Sequence, residues 1–549
     1  MSRVIEGMPV LLKKSETSSF WEDREYRVYW EGLAFIEGIP SGGDSMRAFV
    51  GRLAKDGIEG ASRLLKGIYF IAVERKEGGD LFLFVDNSGL YQAFYTDDSV
   101  STSFLGLIRR KGYTVADLDA RAVVEFLQFG NLFSGKTFFR AVRKIPPEII
   151  IHLSRDGGME ILNKKPPDPD ARMKATPSFN ELFEHLAVSL SNRKVSVDLT
   201  GGVDSRLIAV MLDSFGLKFE TAISGGTPVY EDILISEQVA RSIGHPWYGT
   251  VHSVSFLEDG VSNAFKASEG LCDVLFYHRL YQLQEARRGR GIDTVISGVG
   301  GELFKDYWWL QDFPFYSSRS SNVERLVDLR IMPQTPMEDI LTADYAEQCR
   351  LLKMKVVEEL SSYVLETNTQ TYDNIYANYM MREQAGRILT AHSHLLSCYA
   401  PYLDQDMVMI GCGLPRKTRF FNAFHRGKIS ALNPLAAGIP TTEGGISVSS
   451  DAGKILCDLP KFAVNRMGRL LVKMNLRKRA AEYRSHPELY VQARNMEMMK
   501  ESIATLRHEG IVRNGVDSAM IQDGCLGTLL SLGLFIDLLN RNSRDRDHR

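Results

Sequence analysis

The chain has 549 residues, 44% hydrophobic and 24% charged, with a formal net charge of −2. This is the make-up of a globular protein with sizeable cores, and it excludes general disorder. The near-neutral charge gives no global basic field, so nucleic acid is not an expected partner.

The opening MSRVIEGMPVLLKKSE breaks each apolar stretch with charges, unlike a secretory signal. No run approaches the length of a bilayer span. The most apolar C-terminal stretch, Leu526 to Leu539, contains Asp537 and reads as a core helix, so a cytoplasmic enzyme is the default. Six cysteines (Cys272, Cys349, Cys398, Cys412, Cys457 and Cys525) form no CxxC pair, which speaks against a zinc ribbon or a disulfide framework.

Short alternating strands are predicted at Tyr26–Glu31, Gly67–Glu74, Leu81–Val85, Leu90–Tyr95 and Ile149–Leu153, with a turn at Asp86–Gly89 and a helix over Leu118–Phe129. Residues 1–165 thus read as a β-rich domain. Lys164-Lys165-Pro166-Pro167-Asp168-Pro169-Asp170 opens a linker placed at 166–178. Residues 179–549 form the second domain. Helices there alternate with β-branched strands, the pattern of a parallel sheet covered by helices, and the chain is mostly helical from about Glu338.

Lys194 to Gly216 is the most informative segment. Val195, Val197 and Leu199 alternate with polar residues as a strand. Thr200-Gly201-Gly202-Val203-Asp204-Ser205 follows, and helical spacing resumes from Arg206. Two glycines let the backbone approach an anion, and the next helix adds its positive dipole end. Thr200 and Ser205 offer hydroxyl donors. Asp204 suits a Mg2+ that bridges phosphates rather than a bare anion. No GK[ST] follows, so this is not a Walker loop.

This loop resembles the SGGxDS pyrophosphate loop of the asparagine synthetase family and its ATP-pyrophosphatase relatives, with Thr200 in place of the first Ser. Thr221-Ala222-Ile223-Ser224-Gly225 is similar to the family's second strand end, and Glu231-Asp232 opens the helix after it. The resemblance implies that Leu199 and Ile223 border adenine, and that Thr200, Gly201, Gly202, Val203, Asp204 and Ser205 hold ATP. Thr294 to Tyr307 contains Ser297-Gly298-Val299-Gly300-Gly301-Glu302 and resembles the second family motif, S-G-x-G-x-D-E-x-F-x-G-Y, so Ser297 and Gly298 join the ATP site. The Asp before the Glu is missing. Glu302 is therefore expected to share the metal with Asp204, both being hard oxygen ligands.

Leu65-Lys66-Gly67-Ile68-Tyr69-Phe70, Phe84 to Tyr91, Gly135 to Arg140 and Pro146-Pro147 resemble the family's glutaminase-type domain. The resemblance spans roughly residues 50 to 410. It implies an N-terminal αββα Ntn-hydrolase-like sandwich, then an α/β parallel-sheet synthetase domain of the PP-loop type with a helical C-terminal part. Cofactors would be ATP and Mg2+.

Glutamine-using members attack glutamine with an N-terminal Cys. This chain reads Met1-Ser2-Arg3 and has no cysteine before Cys272. A serine alkoxide is much harder to form near neutrality than a thiolate. The first domain is therefore expected to be a glutaminase remnant, the condition of beta-lactam synthetases and lasso peptide cyclases, whose amine comes with the substrate.

Ser397-Cys398-Tyr399-Ala400-Pro401-Tyr402-Leu403-Asp404 aligns with the family's E-x-R-x-P-F-L-D but has lost the Glu and the Arg. Upstream, Glu383 and Arg387 share a helix face. They are either a surface salt bridge or substrate-carboxylate binders. The family's late lysine is assigned to Lys428, within RFFNAFHRGK, and Ile439 to Gly445 resembles a glycine lid. Lys461 to Arg484 is a basic amphipathic helix: a solvated face, or a grip for an anionic substrate, a peptide or a membrane surface.

The expected function is an AMP-forming ligase. It adenylates a small-molecule or peptide carboxylate and joins it to an amine not made by its own glutaminase site. The alternatives are a glutamine-hydrolysing asparagine synthetase and a nucleotide-binding scaffold that has lost catalysis. A homodimer is compatible with this reading.

Overall fold

The computed structural model describes residues 3–4, 10–13, 15–164, 177–225, 231–251, 257–305, 316–332, 337–473 and 487–547. The chain is mixed α/β. Residues up to 164 build two sheets. One has the order β1 (Arg3–Val4), β2 (Val10–Leu12), β8 (Ser99–Ser101), β7 (Phe94–Thr96), β9 (Arg143–Lys144). The other runs β11 (Met159–Asn163), β10 (Ile149–Leu153), β6 (Leu81–Val85), β5 (Leu65–Arg75), β4 (Tyr26–Ile36), β3 (Ser19–Glu22).

The period-two alternation of β4 and β5 sorts their side chains between two cores. Leu33, Phe35, Ile68, Phe70 and Ala72 join the main core with Phe94 and Val100 of the first sheet. Val28, Trp30, Tyr69, Ile71 and Val73 pack instead with Met46, Phe49 and Leu53 of α1 (Gly43–Ala61). On the far side of the main core lie α2 (Phe104–Lys111) and α3 (Ala120–Phe129). The layers are helix, sheet, sheet, helix.

Two expectations change here. The strand placed at Leu90–Tyr95 begins only at Phe94. The Asp86 carboxylate accepts from the backbone N–H groups of Ser88, Leu90 and Tyr91 at 3.1, 3.1 and 2.7 Å, which holds the preceding residues as a loop. Lys164 belongs to the sandwich, not to a linker. It is buried, and its Nζ donates to the Val85 carbonyl at 2.8 Å and to Asn87 Oδ1 at 3.1 Å. Residues 165–176 of the expected linker lie outside the described residues.

A third sheet is wholly parallel, in the order β14 (Trp247–Val251), β13 (Phe219–Gly225), β12 (Val195–Asp198), β15 (Thr294–Ile296), β16 (Ser397–Tyr399). The chain leaves β12 on one side through α4 (Asp204–Ser214), β13, α5 (Glu231–Ile243) and β14. It then returns to the other side for β15 and β16. This reversal opens a crevice at the carboxyl ends of β12 and β15, the usual ligand position in such sheets.

Later elements are helical apart from β16. They include α6 (Arg382–Ser393), α7 (Ala423–Leu432), α8 (Ala452–Lys473) and α9 (Asp523–Asp547). Among the described residues α9 alone is long and apolar enough to cross a bilayer, yet 67% of its apolar window is buried. Phe535 stacks on Phe138 at 4.7 Å, so the stretch is a core helix, but it runs beyond Leu526 to Leu539 and reaches the length of a span, which the sequence reading did not expect of any run.

Glu31 is fully buried under β4 and accepts hydroxyl bonds from Tyr91 (2.7 Å), Tyr29 (2.7 Å) and Thr102 (2.9 Å). Burial pushes its carboxyl from the ordinary 4.5 up to about 7, against the pull of those hydroxyls. Between these two values the folded chain keeps a proton that the unfolded chain releases. The group's contribution therefore falls as pH rises through that window, by about 3 kcal/mol in all. Calorimetric melting across pH 5 to 8 should show Glu31→Gln losing this dependence and melting above the parent at the alkaline end.

Candidate functional site

The crevice is built from the turn after β12. Leu199 is buried and its N–H donates to the Ala222 carbonyl at 3.0 Å, which locks the turn to β13 beside Ile223. The next three amides all end on side-chain oxygens. Thr200 N donates to Ser205 Oγ (3.0 Å), Gly201 N to Asp232 Oδ1 (2.8 Å) and Gly202 N to Thr200 Oγ1 (3.2 Å). No ladder partner competes for them. Val203 is buried beneath, and α4 starts at Asp204 with its dipole aimed into the turn.

The second motif packs directly on the first. A Cβ on Gly301 would sit 2.3 Å from Asp204 Cγ, and one on Gly298 would sit 3.0 Å from Ser205 Cα. Only glycine allows this approach. Ser297 N donates to the Tyr399 carbonyl at 2.8 Å, tying the motif to β16.

Asp204 is the centre of the site. Lys305 Nζ lies 2.6 Å from its Oδ2, and His425 Nε2 lies 3.0 Å from its Oδ1. Its backbone carbonyl accepts from Tyr402 OH at 3.0 Å. Burial favours the neutral acid, but Lys305 and His425 outweigh it and hold the carboxyl below the usual carboxylate range. Burial likewise opposes the Lys305 charge. Asp204, Glu443 and Glu302 more than restore it and raise the ammonium above the ordinary lysine value. Glu302 stands beside this pair, and its Oε2 accepts from Tyr376 OH.

A strap from the C-terminal part lies over the glycine turn. Arg206 is fully buried. Its Nη1 donates to the carbonyls of Ala436 (3.0 Å) and Ile439 (2.6 Å), and its Nη2 to that of Pro440 (3.1 Å). Thr442 N donates to the Gly201 carbonyl at 3.2 Å, and Glu443 Oε1 is 3.4 Å from Lys305 Nζ. The segment that resembles a glycine lid is thus in contact with the glycine turn.

Three sequence assignments land elsewhere. Lys428 turns to Asn180, with Nζ to Oδ1 at 2.6 Å, and does not reach the turn. The lysine beside Asp204 is Lys305, from the second motif. Glu383 and Arg387 share a face of α6 as read, but they are buried between the domains. Glu383 takes Lys144 Nζ (2.6 Å), Gly135 N (2.9 Å) and Gln92 Nε2 (3.4 Å), and Arg387 Nη1 donates to Gln92 Oε1 (3.3 Å). They form neither a surface salt bridge nor part of the crevice. Two further site residues escaped the sequence assignment. His425 lies in the same RFFNAFHRGK segment as Lys428, and Lys305 directly follows the second motif's Phe304.

No group of three or more His, Cys, Asp or Glu suited to holding a metal alone occurs among the described residues. The site does fit a magnesium ion that arrives on phosphate. Asp204 Oδ1 is buried without an aligned hydrogen bond, Asp204 is held ionised, and Glu302 lies near. Such an ion needs only one or two protein carboxylates.

Residues 183–430 match the family model described as asparagine synthase. This segment is an asparagine synthase family domain. It contains the whole of the crevice except the strap. The family is one of ATP-dependent, amide-forming ligases. No curated protein matches the chain. Measured against that family's second motif, the segment lacks the Asp before Glu302.

The Gly301 contact yields a test. Gly301→Ala forces Asp204 aside, a crowding cost that should weaken binding of a fluorescent ATP analogue about tenfold. Gly413→Ala is the matched control, because nothing lies within 4 Å of the added methyl. Unchanged affinity for Gly301→Ala would show that Asp204 does not depend on this packing.

Proposed function

We propose that the chain is an AMP-forming ligase that activates a substrate carboxylate with ATP and passes the acyl group to an amine it does not itself generate from glutamine. The Asp204–Lys305 pair at the glycine turn carries this reading: a carboxylate held ionised beside a fixed ammonium, both at the N-terminus of α4.

The amides of Thr200, Gly201 and Gly202 exchange their side-chain partners for phosphate oxygens, and the α4 dipole favours that charge. Leu199 and Ile223 border the adenine. The substrate carboxylate oxygen attacks the α-phosphorus, and the bond to the pyrophosphate oxygen breaks. The Lys305 ammonium lies where charge builds on the departing pyrophosphate and stabilises it. The amine nitrogen then attacks the acyl carbon and AMP leaves, the amine proton passing to solvent or to a nearby base. Magnesium, held by Asp204 and Glu302 when bound, supplies charge neutralisation across the phosphates. Positioning and charge stabilisation provide most of the rate.

The αββα layers contain no cysteine, which favours an amine supplied from elsewhere. In this reading those layers act as a scaffold against which α6 and β16 are held.

The assay is pyrophosphate release with MgATP across a panel of carboxylic acids and amines. Asp204→Asn and Lys305→Gln should each reduce the rate by about a hundredfold, as expected for removal of a group facing developing charge. Lys428→Gln should leave it within about twofold, as expected for a half-buried side chain turned to Asn180 and away from the turn. Glutamine should yield no glutamate. If no acid supports release while ATP still binds, the chain is a nucleotide-binding scaffold instead.

A further inference from the structure

Between the two domains lies a cavity of about 330 Å3. Small-molecule sites run from about 300 to 1,000 Å3, so this one is large enough for a ligand. The sandwich lines it with Gln92, Arg143 and Lys144, and the helical part with Asn378, Arg382 and Glu383. None of its lining residues belongs to the glycine turn, the second motif or the strap. It is a separate place from the crevice.

The charges around it do not balance. Lys144 and Glu383 are buried and neutralise each other at 2.6 Å. Arg387, one turn further along α6, is 2% exposed. Its Nη1 donates to the neutral Gln92 Oε1 at 3.3 Å, and its Nε has no hydrogen-bond partner. Arg382 is half-buried, and its Nε also lacks a partner. Its Nη2 reaches Asn378 Oδ1 at 3.4 Å and the exposed Glu148 at 3.7 Å, both long contacts. Arg143 is exposed and makes no ion pair among the described residues. Glu125 and Glu359 are also felt at this wall, but Lys136 and Arg121 already hold them. Arg143, Lys144, Arg382 and Arg387 therefore stand against Glu383 and the exposed Glu148. Excess positive charge beside a buried wall is costly, and a bound anion relieves it.

We propose that this cavity binds a small organic anion through a carboxylate or phosphate group. Arginine offers its N–H donors in a planar fork that fits either group bidentately. Arg143 comes from β9 and Arg382 from α6, so an anion held by both joins the two domains. The rings of Tyr91, Tyr95 and Tyr363 also line the cavity and suit a flat apolar body on the ligand. This site rests on its own charge and shape and does not require the ligase reading.

The test is saturation-transfer NMR of the full chain with benzoate, with phenyl phosphate and with benzyl alcohol as the neutral counterpart. Each is measured with and without a non-hydrolysable ATP analogue and Mg2+. At least one anion should bind, and which one binds tells carboxylate from phosphate; the alcohol should not bind. Arg143→Gln and Arg382→Gln should each weaken anion binding about tenfold or more, the scale of one lost hydrogen bond to a charged group. The bound anion should also raise the melting temperature of the parent and not that of the double variant. Arg143 is exposed, so circular dichroism of Arg143→Gln should match the parent, and that variant decides the matter even where Arg382→Gln disturbs folding. No transfer to either anion, equal transfer to benzyl alcohol, or an Arg143→Gln protein that binds as tightly as the parent would overturn the proposal. So would loss of the whole anion signal on adding the ATP analogue, which would place the anion in the crevice.

Discussion

A carboxylate and an ammonium that share a buried position at a helix N-terminus impose demands on everything around them. Removing one partner of such a buried pair typically costs about 3–5 kcal/mol where nothing else compensates the other, and here Glu443 and His425 supply part of that compensation. Asp204 and Lys305 are separated by 101 residues in the chain yet lie 2.6 Å apart. The parallel sheet makes this meeting possible. β12 and β15 are neighbours with Val195 opposite Thr294, so the turns after them share one crevice. Gly298 and Gly301 remove the side chains that would keep the turns apart, and Tyr402 fixes the backbone carbonyl of Asp204 from the β16 side.

Much of this was legible in the residues. The strand, glycine turn and helix from Lys194 to Gly216 follow from local patterning, and so do β6 and β10, whose bounds match the reading residue for residue. The second motif was recognisable although one acid is missing. The identity of the lysine was not legible. Lys305 sits at an unspecified position of the family motif, between its Phe and its Gly, so no pattern marks it, and its partner is fixed only by the sheet. Lys428 had the more familiar context, but what α7 presents to the crevice is His425. The fate of Glu383 and Arg387 was hidden for a related reason. Helical spacing places them on one face and says nothing of what covers that face. Gln92, which binds both, is about 290 residues away, and only the docking of the two domains brings it there.

That docking ties the N-terminal sandwich to the parallel-sheet part of the fold. Lys66 is held between Asp404 (2.9 Å) and Asp406 just after β16, and Phe35 meets the Tyr399 ring edge-on at 5.5 Å. Lys144 and Glu383 close a second polar knot at the α6 interface. Burial pulls the Lys144 ammonium below the lysine range, with Glu383 opposing that shift. These contacts flank the segment that ends in Tyr402, whose hydroxyl steadies Asp204. The sandwich thus supports the rear wall of the crevice.

Arg206 sets where this fold can be cut. The stretch matching the asparagine synthase family closes at residue 430, whereas the carbonyls that receive the Arg206 guanidinium belong to residues 436, 439 and 440. A fragment excised at the match boundary would strand a guanidinium in an apolar interior, with most of its donors unanswered. The autonomous folding unit therefore extends past the recognisable one, and expression boundaries chosen from homology alone would fall on the wrong side of it.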